Sequence, residues 1–234
     1  MTQKMPGGEL ATRPLHFIWI CDCSGSMDGE KIHTLNAAIE EALPAMRDVA
    51  EQNAYANVLV RTLHFSSGAQ WVNRDPVPVA DFKWFDIEAD GVTDMGKALS
   101  MVADELKIPP MEDRALPPVL VLVSDGQPTD DFESGLKKLM DQPWGKKAVR
   151  IAIAVGDADT EVLQRFIGNT EVKPLVAKNA PALVKQIKWI STAVTQAASA
   201  PASQTKDRQT PGTNVPIPTP PPDVSNPNGV DDVW

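Results

Sequence analysis

The stretch FIWICDCSGSMDGEKI, residues 17–32, climbs through an apolar run to Asp22 and then changes character. Its first part belongs to LHFIWIC (15–21), which follows Pro14 and has the length and β-former content of a buried strand. Beyond it Asp22, Ser24 and Ser26 place oxygen-bearing side chains at alternate positions. A helical pattern then begins, with Ile32, Leu35, Ile39, Ala42, Met46 and Val49 recurring at spacings of three and four. A carboxylate closing a buried strand is costly unless something compensates it. A helix cap, a catalytic acid and a cation site are three arrangements that use such residues.

Further along, apolar runs and amphipathic segments keep alternating. ANVLVRTLHF (56–65), PVLVLVSD (118–125) and AVRIAIAV (148–155) read as strands, with AQWV after the Ser66-Ser67-Gly68 turn and TEVKPLV (170–176) as shorter ones. Helices are expected from Thr93, over 131–140, over 158–168 ending at Gly168, and from about Pro181. Pro44 should kink or loosen the first helix. Residues 73–90 hold two prolines and the aromatics Phe82, Trp84 and Phe85, and read as a loop packing its rings on the core. Continuous apolar strands separated by helices of ten or more residues imply an α/β fold, a doubly wound, Rossmann-like and mostly parallel sheet flanked by helices. Sites in such sheets lie at the carboxyl ends of the strands, where strand order reverses. Asp22 and Asp125 both stand at such ends.

Composition narrows the partners. The chain has 234 residues and a net charge of −9, which disfavours nucleic acid and favours cations or basic surfaces. Its two cysteines, Cys21 and Cys23, are too close in extended chain for a relaxed disulfide and too few for a thiolate metal site. MTQKMPGGELATRP lacks the apolar centre of a secretion signal, and no run approaches the roughly 18 apolar residues of a membrane span. A cytoplasmic location without membrane attachment is expected. The expected division is an N-terminal extension (1–13), one domain (14–199) and a Pro/Thr-rich tail (200–234). Residues 201–234 carry 8 of the 21 prolines, a composition expected to stay extended and flexible rather than fold by itself.

Enzyme readings of the 22–26 segment each fail at a residue. A haloacid-dehalogenase-type phosphatase needs a second acid two positions after Asp22, where Ser24 stands. A cysteine phosphatase needs an arginine six positions after Cys23, where Gly29 stands. A nucleophile elbow needs glycines flanking its serine at both sides, which neither Ser24 nor Ser26 has. A hard cation, by contrast, takes about six oxygen ligands, and one carboxylate with two alternating hydroxyls can aim three at one point. Thr93, at a loop-to-helix junction, and Asp125, at a strand end, are the distant candidates.

Together the three blocks DCSGS, DGVTDMG and LVLVSDG resemble the von Willebrand factor A domain and its metal-ion-dependent adhesion site. The resemblance covers roughly residues 14–196. It implies a metal centre at Asp22, Ser24, Ser26, Thr93 and Asp125, holding Mg²⁺ (or Mn²⁺ or Ca²⁺). The serines and threonine would bind directly or nearly so, the aspartates through water, and a partner's acidic side chain would complete the shell. LVLVSDGQPTDDF, VGDADTEVLQRFIG and ALVKQIKWIS further resemble the bacterial tellurite-resistance (TerY-like) type, which is associated with a Ser/Thr kinase and a PP2C-type phosphatase in stress-response or defence modules.

Simpler roles stay open from the sequence. Ser24, Ser26 and Thr93 can cap helices, and Asp125-Gly126 can form a turn. Asp28, Asp94, Asp130 and Asp131 read as solvated rim charges. His16, His33 and His64 lack a paired nucleophile and read as structural. In the tail, Thr205, Thr210, Thr213 and Thr219 are candidates for phosphorylation, and the terminal DDVW for a docking peptide. The expected function is a non-enzymatic adaptor; a metal-assisted phosphohydrolase using Asp22, or a scaffold whose tail does the work, are the alternatives.

Overall fold

The computed structural model describes residues 12–200 and 215–221. Six strands, β1 (Arg13–Asp22), β2 (Ala56–Ser66), β3 (Gly68–Pro78), β4 (Val119–Ser124), β5 (Val149–Val155) and β6 (Leu175–Ala177), form one sheet in the order β3-β2-β1-β4-β5-β6. All neighbours are parallel except β2 and β3, which form an antiparallel hairpin. The helices are α1 (Glu30–Glu51), α2 (Met95–Glu105), α3 (Phe132–Asp141), α4 (Pro143–Lys147), α5 (Thr160–Ile167) and α6 (Ala180–Trp189); α6 continues through a π turn (Ile190–Val194) into α7 (Thr195–Ser199).

The unbroken apolar strands are buried because helices cover both faces. On one face Phe17, Trp19, Val121 and Ile153 pack with α1 and α6. On the other, Ile18, Ile20, Leu122 and Ala152 pack with α2 and α5. The doubly wound architecture is thus as expected. β1 lies at the centre, with α1 leaving toward one face and α2 entering on the other, so the reversal of strand order falls between β1 and β4. Register pairs Cys21 with Val123, which sets the next residues, Asp22 and Ser124, side by side at the carboxyl edge.

Two regions depart from expectation. The strand after Gly68 runs on to Pro78, well past AQWV; both its prolines are tolerated because β3 is an edge strand with one free side. Of the aromatics beyond it, Phe82 is buried and Trp84 packs on the core, but Phe85 is 62% exposed. Of the tail, residues 215–221 are described: Val215 is buried and Ile217 packs against the larger core cluster. Thr205, Thr210, Thr213 and the terminal DDVW lie outside the described residues.

Candidate metal centre

The five residues singled out by spacing meet at the carboxyl edge of β1 and β4. Asp22 is fully buried; one carboxylate oxygen accepts from the Ser24 amide at 2.8 Å and the other from Ser124 Oγ at 2.5 Å. Ser24 Oγ and Ser26 Oγ lie 3.0 Å apart, and Ser26 Oγ donates to Asp125 Oδ1 at 2.7 Å. Thr93 Oγ1 and Ser26 Oγ both flank Gly126, so the threonine hydroxyl faces the same point.

Backbone staples hold these loops together. Asp90 N donates to Cys23 O and Gly25 N to Gly91 O, tying the loop before α2 to the 22–26 segment. Thr93 N donates to Thr129 Oγ1 at 3.0 Å while Thr129 N donates back to Thr93 O, tying it to the loop after Asp125. Gly91 has φ of 79° and lies against Ser67, so a side chain there would be both strained and obstructed.

The capping role is not what these hydroxyls do. Neither Ser24 before its 3₁₀ turn nor Gly29 before α1 makes a side-chain cap bond. The first-turn amides of α2, Gly96 N and Lys97 N, are taken by the Asp130 carboxylate, which leaves Thr93 Oγ1 free of that duty. The rim aspartates also prove to be structural rather than merely solvated. Asp131 caps α3 through Ser134 N, Asp94 accepts from Gly68 N and Thr129 Oγ1, and Asp28 accepts from Gly29 N.

Burial pushes the Asp22 carboxyl above its ordinary range, and the nearby Asp125 charge adds to this; the bonds from Ser124 and Ser24 only partly offset it. Only neutral donors therefore face the buried Asp22 carboxyl. Burial likewise raises the Cys23 thiol to about 11 and holds Cys21 protonated, which removes both from thiolate chemistry. His16 bonds to Glu112 at 2.8 Å and His64 to Cys23 at 3.4 Å, the structural roles expected of them.

Three contributors were not anticipated. Ser124 and Thr129 position Asp22 and Thr93, and nothing in their spacing distinguishes them from other hydroxyl residues. Lys31 reaches across: Nζ donates to Asp125 Oδ2 at 2.5 Å and to Ser26 O at 3.1 Å. The Asp125 side chain is 1% exposed and Lys31 22%, so an internal cation sits at the mouth of the cluster. The donor set is all oxygen, two carboxylates and three hydroxyls. Among the described residues no group of three or more His, Cys, Asp or Glu gathers for a softer metal. The residues fit a hard divalent cation.

The fold and this geometry carry a family assignment. Residues 18–188 match the von Willebrand factor type A domain model, and the chain belongs to that family. Solved structures agree at the level of fold. A von Willebrand factor type A protein from Catenulispora acidiphila is 15% identical, with a TM-score of 0.59 over 80% of this chain and 43% of its own. The pilus adhesin SpaC from Lactobacillus rhamnosus GG is 12% identical, with a TM-score of 0.65 over 80% and 31%. The PilB minor pilin from Streptococcus sanguinis is 16% identical, with a TM-score of 0.58 over 82% and 64%. The chain thus spans less than two thirds of each. No curated protein matches the chain in sequence. Domains of this family often mediate protein interaction, and an adhesin and a pilin stand among the structural neighbours. Among the described residues no helix is long and apolar enough to cross a membrane.

Proposed function

We propose that the chain is a non-enzymatic adaptor that grips an acidic side chain of a protein partner through a divalent cation, Mg²⁺ being the best suited. The observation that carries this is the convergence of Asp22, Ser24, Ser26, Thr93 and Asp125 with hydroxyls aimed at one another instead of at helix amides. Ser24, Ser26 and Thr93 would hold the ion, and Asp22 and Asp125 would balance its charge. A cation held largely by neutral hydroxyls remains a strong acceptor for an incoming carboxylate. Lys31 competes for Asp125 and must swing away as the ion enters. Val92, beside Thr93, is 48% exposed and offers the partner an apolar contact next to the carboxylate.

The phosphohydrolase alternative fits less well. Asp22 is fully buried with both oxygens engaged, so it cannot reach an incoming phosphorus as a nucleophile. The likeness to the tellurite-resistance type supports a cytoplasmic stress-response or defence module, with a Ser/Thr kinase and a PP2C-type phosphatase as partners. Thr219, exposed in the docked tail segment and followed by Pro220, is then the accessible phosphate acceptor.

The decisive experiment is capture of partners from the host's extract with Mg²⁺ or with EDTA, using the unaltered chain and Ser24→Ala/Ser26→Ala. Binding that requires Mg²⁺ and the two hydroxyls supports the reading. Retention of the same partner in EDTA by the double variant would sink it.

A further inference from the structure

The tail segment Val215–Pro221 (VPIPTPP) lies against a groove far from the metal cluster. The groove is lined by Ile151 of β5, Val172 and Pro174 before β6, Leu175 of β6, and Trp189 at the end of α6. Lys173 and Glu171 flank it. Four of the strap's seven residues are proline, which has no N–H to extend the β6 edge, so its grip comes from side chains. Val215 is buried and Ile217 packs on the core beside Trp189 and Leu175, an alternation suited to an extended segment. A half-buried tryptophan receiving a proline-rich extended chain is a known mode of peptide recognition.

The fit is loose. Ile217, Pro218, Thr219 and Pro220 line, together with the groove residues, an open pocket of about 380 Å³. A side chain reaching into that pocket would gain dispersion contacts that the strap leaves unmade. A segment tethered in cis can face its groove at an effective concentration of about 1 mM, enough to occupy a groove it binds only weakly.

We propose that this groove is a recognition site for a proline-rich extended segment of another protein, and that residues 215–221 are its displaceable cis ligand. The partner segment places two apolar residues at alternate positions, as Val215 and Ile217 do. Where the strap has Pro218-Thr219, it carries a larger apolar side chain that fills the remaining cavity. The site is independent of the metal cluster, so EDTA leaves it unaffected.

The test uses the full chain. In Val215→Asp/Ile217→Asp the strap leaves the groove, and a fluorescein-labelled peptide of residues 212–223 (GTNVPIPTPPPD) then binds at least about tenfold more tightly than to the unaltered chain. A peptide with Leu in place of Thr219 binds more tightly still. Trp189→Ala in the strap variant abolishes binding, and circular dichroism checks that it folds. Val172→Glu serves in its place if Trp189→Ala unfolds. Failure of the peptide to bind the strap variant, or equal binding with and without the groove substitution, overturns the proposal. So does a dimer, seen by light scattering, that the strap variant dissociates, because the groove would then belong to the tail of a second copy.

Discussion

Two buried acids in this molecule are treated in opposite ways. Glu105, at the end of α2, has a side chain only 6% exposed and sits between Arg61 at 3.1 Å and Arg74 at 2.9 Å. Asp22, at the end of β1, is more deeply buried, yet its oxygens meet only neutral donors, the Ser24 amide and the Ser124 and Ser24 hydroxyls, with a second carboxylate nearby. The first acid is neutralised by its own chain and serves the fold. The second is held in place by neutral donors, which orient a carboxylate without satisfying its charge. Under the proposed function, that difference separates a structural ion pair from a group kept ready for an external cation.

Breaking the structural side should have the largest effect. Arg61→Met leaves Glu105 buried with only the exposed Arg74, and should cost roughly 3–5 kcal/mol in urea unfolding. An unchanged midpoint would show the pair to be dispensable. At the other pole, Asp22→Asn should leave stability within about 1 kcal/mol while weakening Mg²⁺ binding in calorimetry by roughly 10–100-fold. If it unfolds the chain without touching metal affinity, Asp22 is structural as Glu105 is. Lys31→Met sharpens the contrast further. It removes the internal cation from Asp125 and should tighten Mg²⁺ binding about tenfold, a difference of about 1.4 kcal/mol. Weaker binding would mean that Lys31 supports the site instead of competing for it.

The smallest effect concerns pH. Burial lowers the His16 pKa below 6.5, outweighing the opposing pull of Glu112, and burial lowers that of His64 too. Between pH 6.5 and those lowered values the unfolded chain binds more protons than the folded one, so stability present above 6.5 is lost as pH falls. The melting temperature should drop by a few degrees between pH 7 and 5.5, at about 2–4 °C per kcal/mol. His16→Gln, which can still bond to Glu112, should flatten that slope.

Much of the architecture was legible because burial on both faces writes itself as unbroken apolar runs, as in VLVLV before Ser124. β3 past Val72 was not, because a partly exposed edge strand needs no continuous apolar run and can carry Pro76 and Pro78. At the site, alternation named Asp22, Ser24 and Ser26, and strand-end position named Asp125. Lys31, Ser124 and Thr129 escaped notice because each acts on a residue distant in sequence. The docked strap escaped for a related reason: its composition forbids independent folding, but not leaning on a core already formed.

By itself, then, the sequence determined the strand and helix alternation, the strand ends at which oxygen-bearing side chains stand, and the lack of a relaxed disulfide between two cysteines so close in extended chain. Those are consequences of local periodicity and residue chemistry. Only the tertiary structure decided that the hydroxyls face one another instead of capping helices, that Lys31 lies on Asp125, and that Val215–Pro221 lies along a groove. Each of these depends on segments tens of residues apart being brought within a hydrogen bond or a van der Waals contact, and at the oxygen cluster the parallel register of β1 with β4 sets that distance.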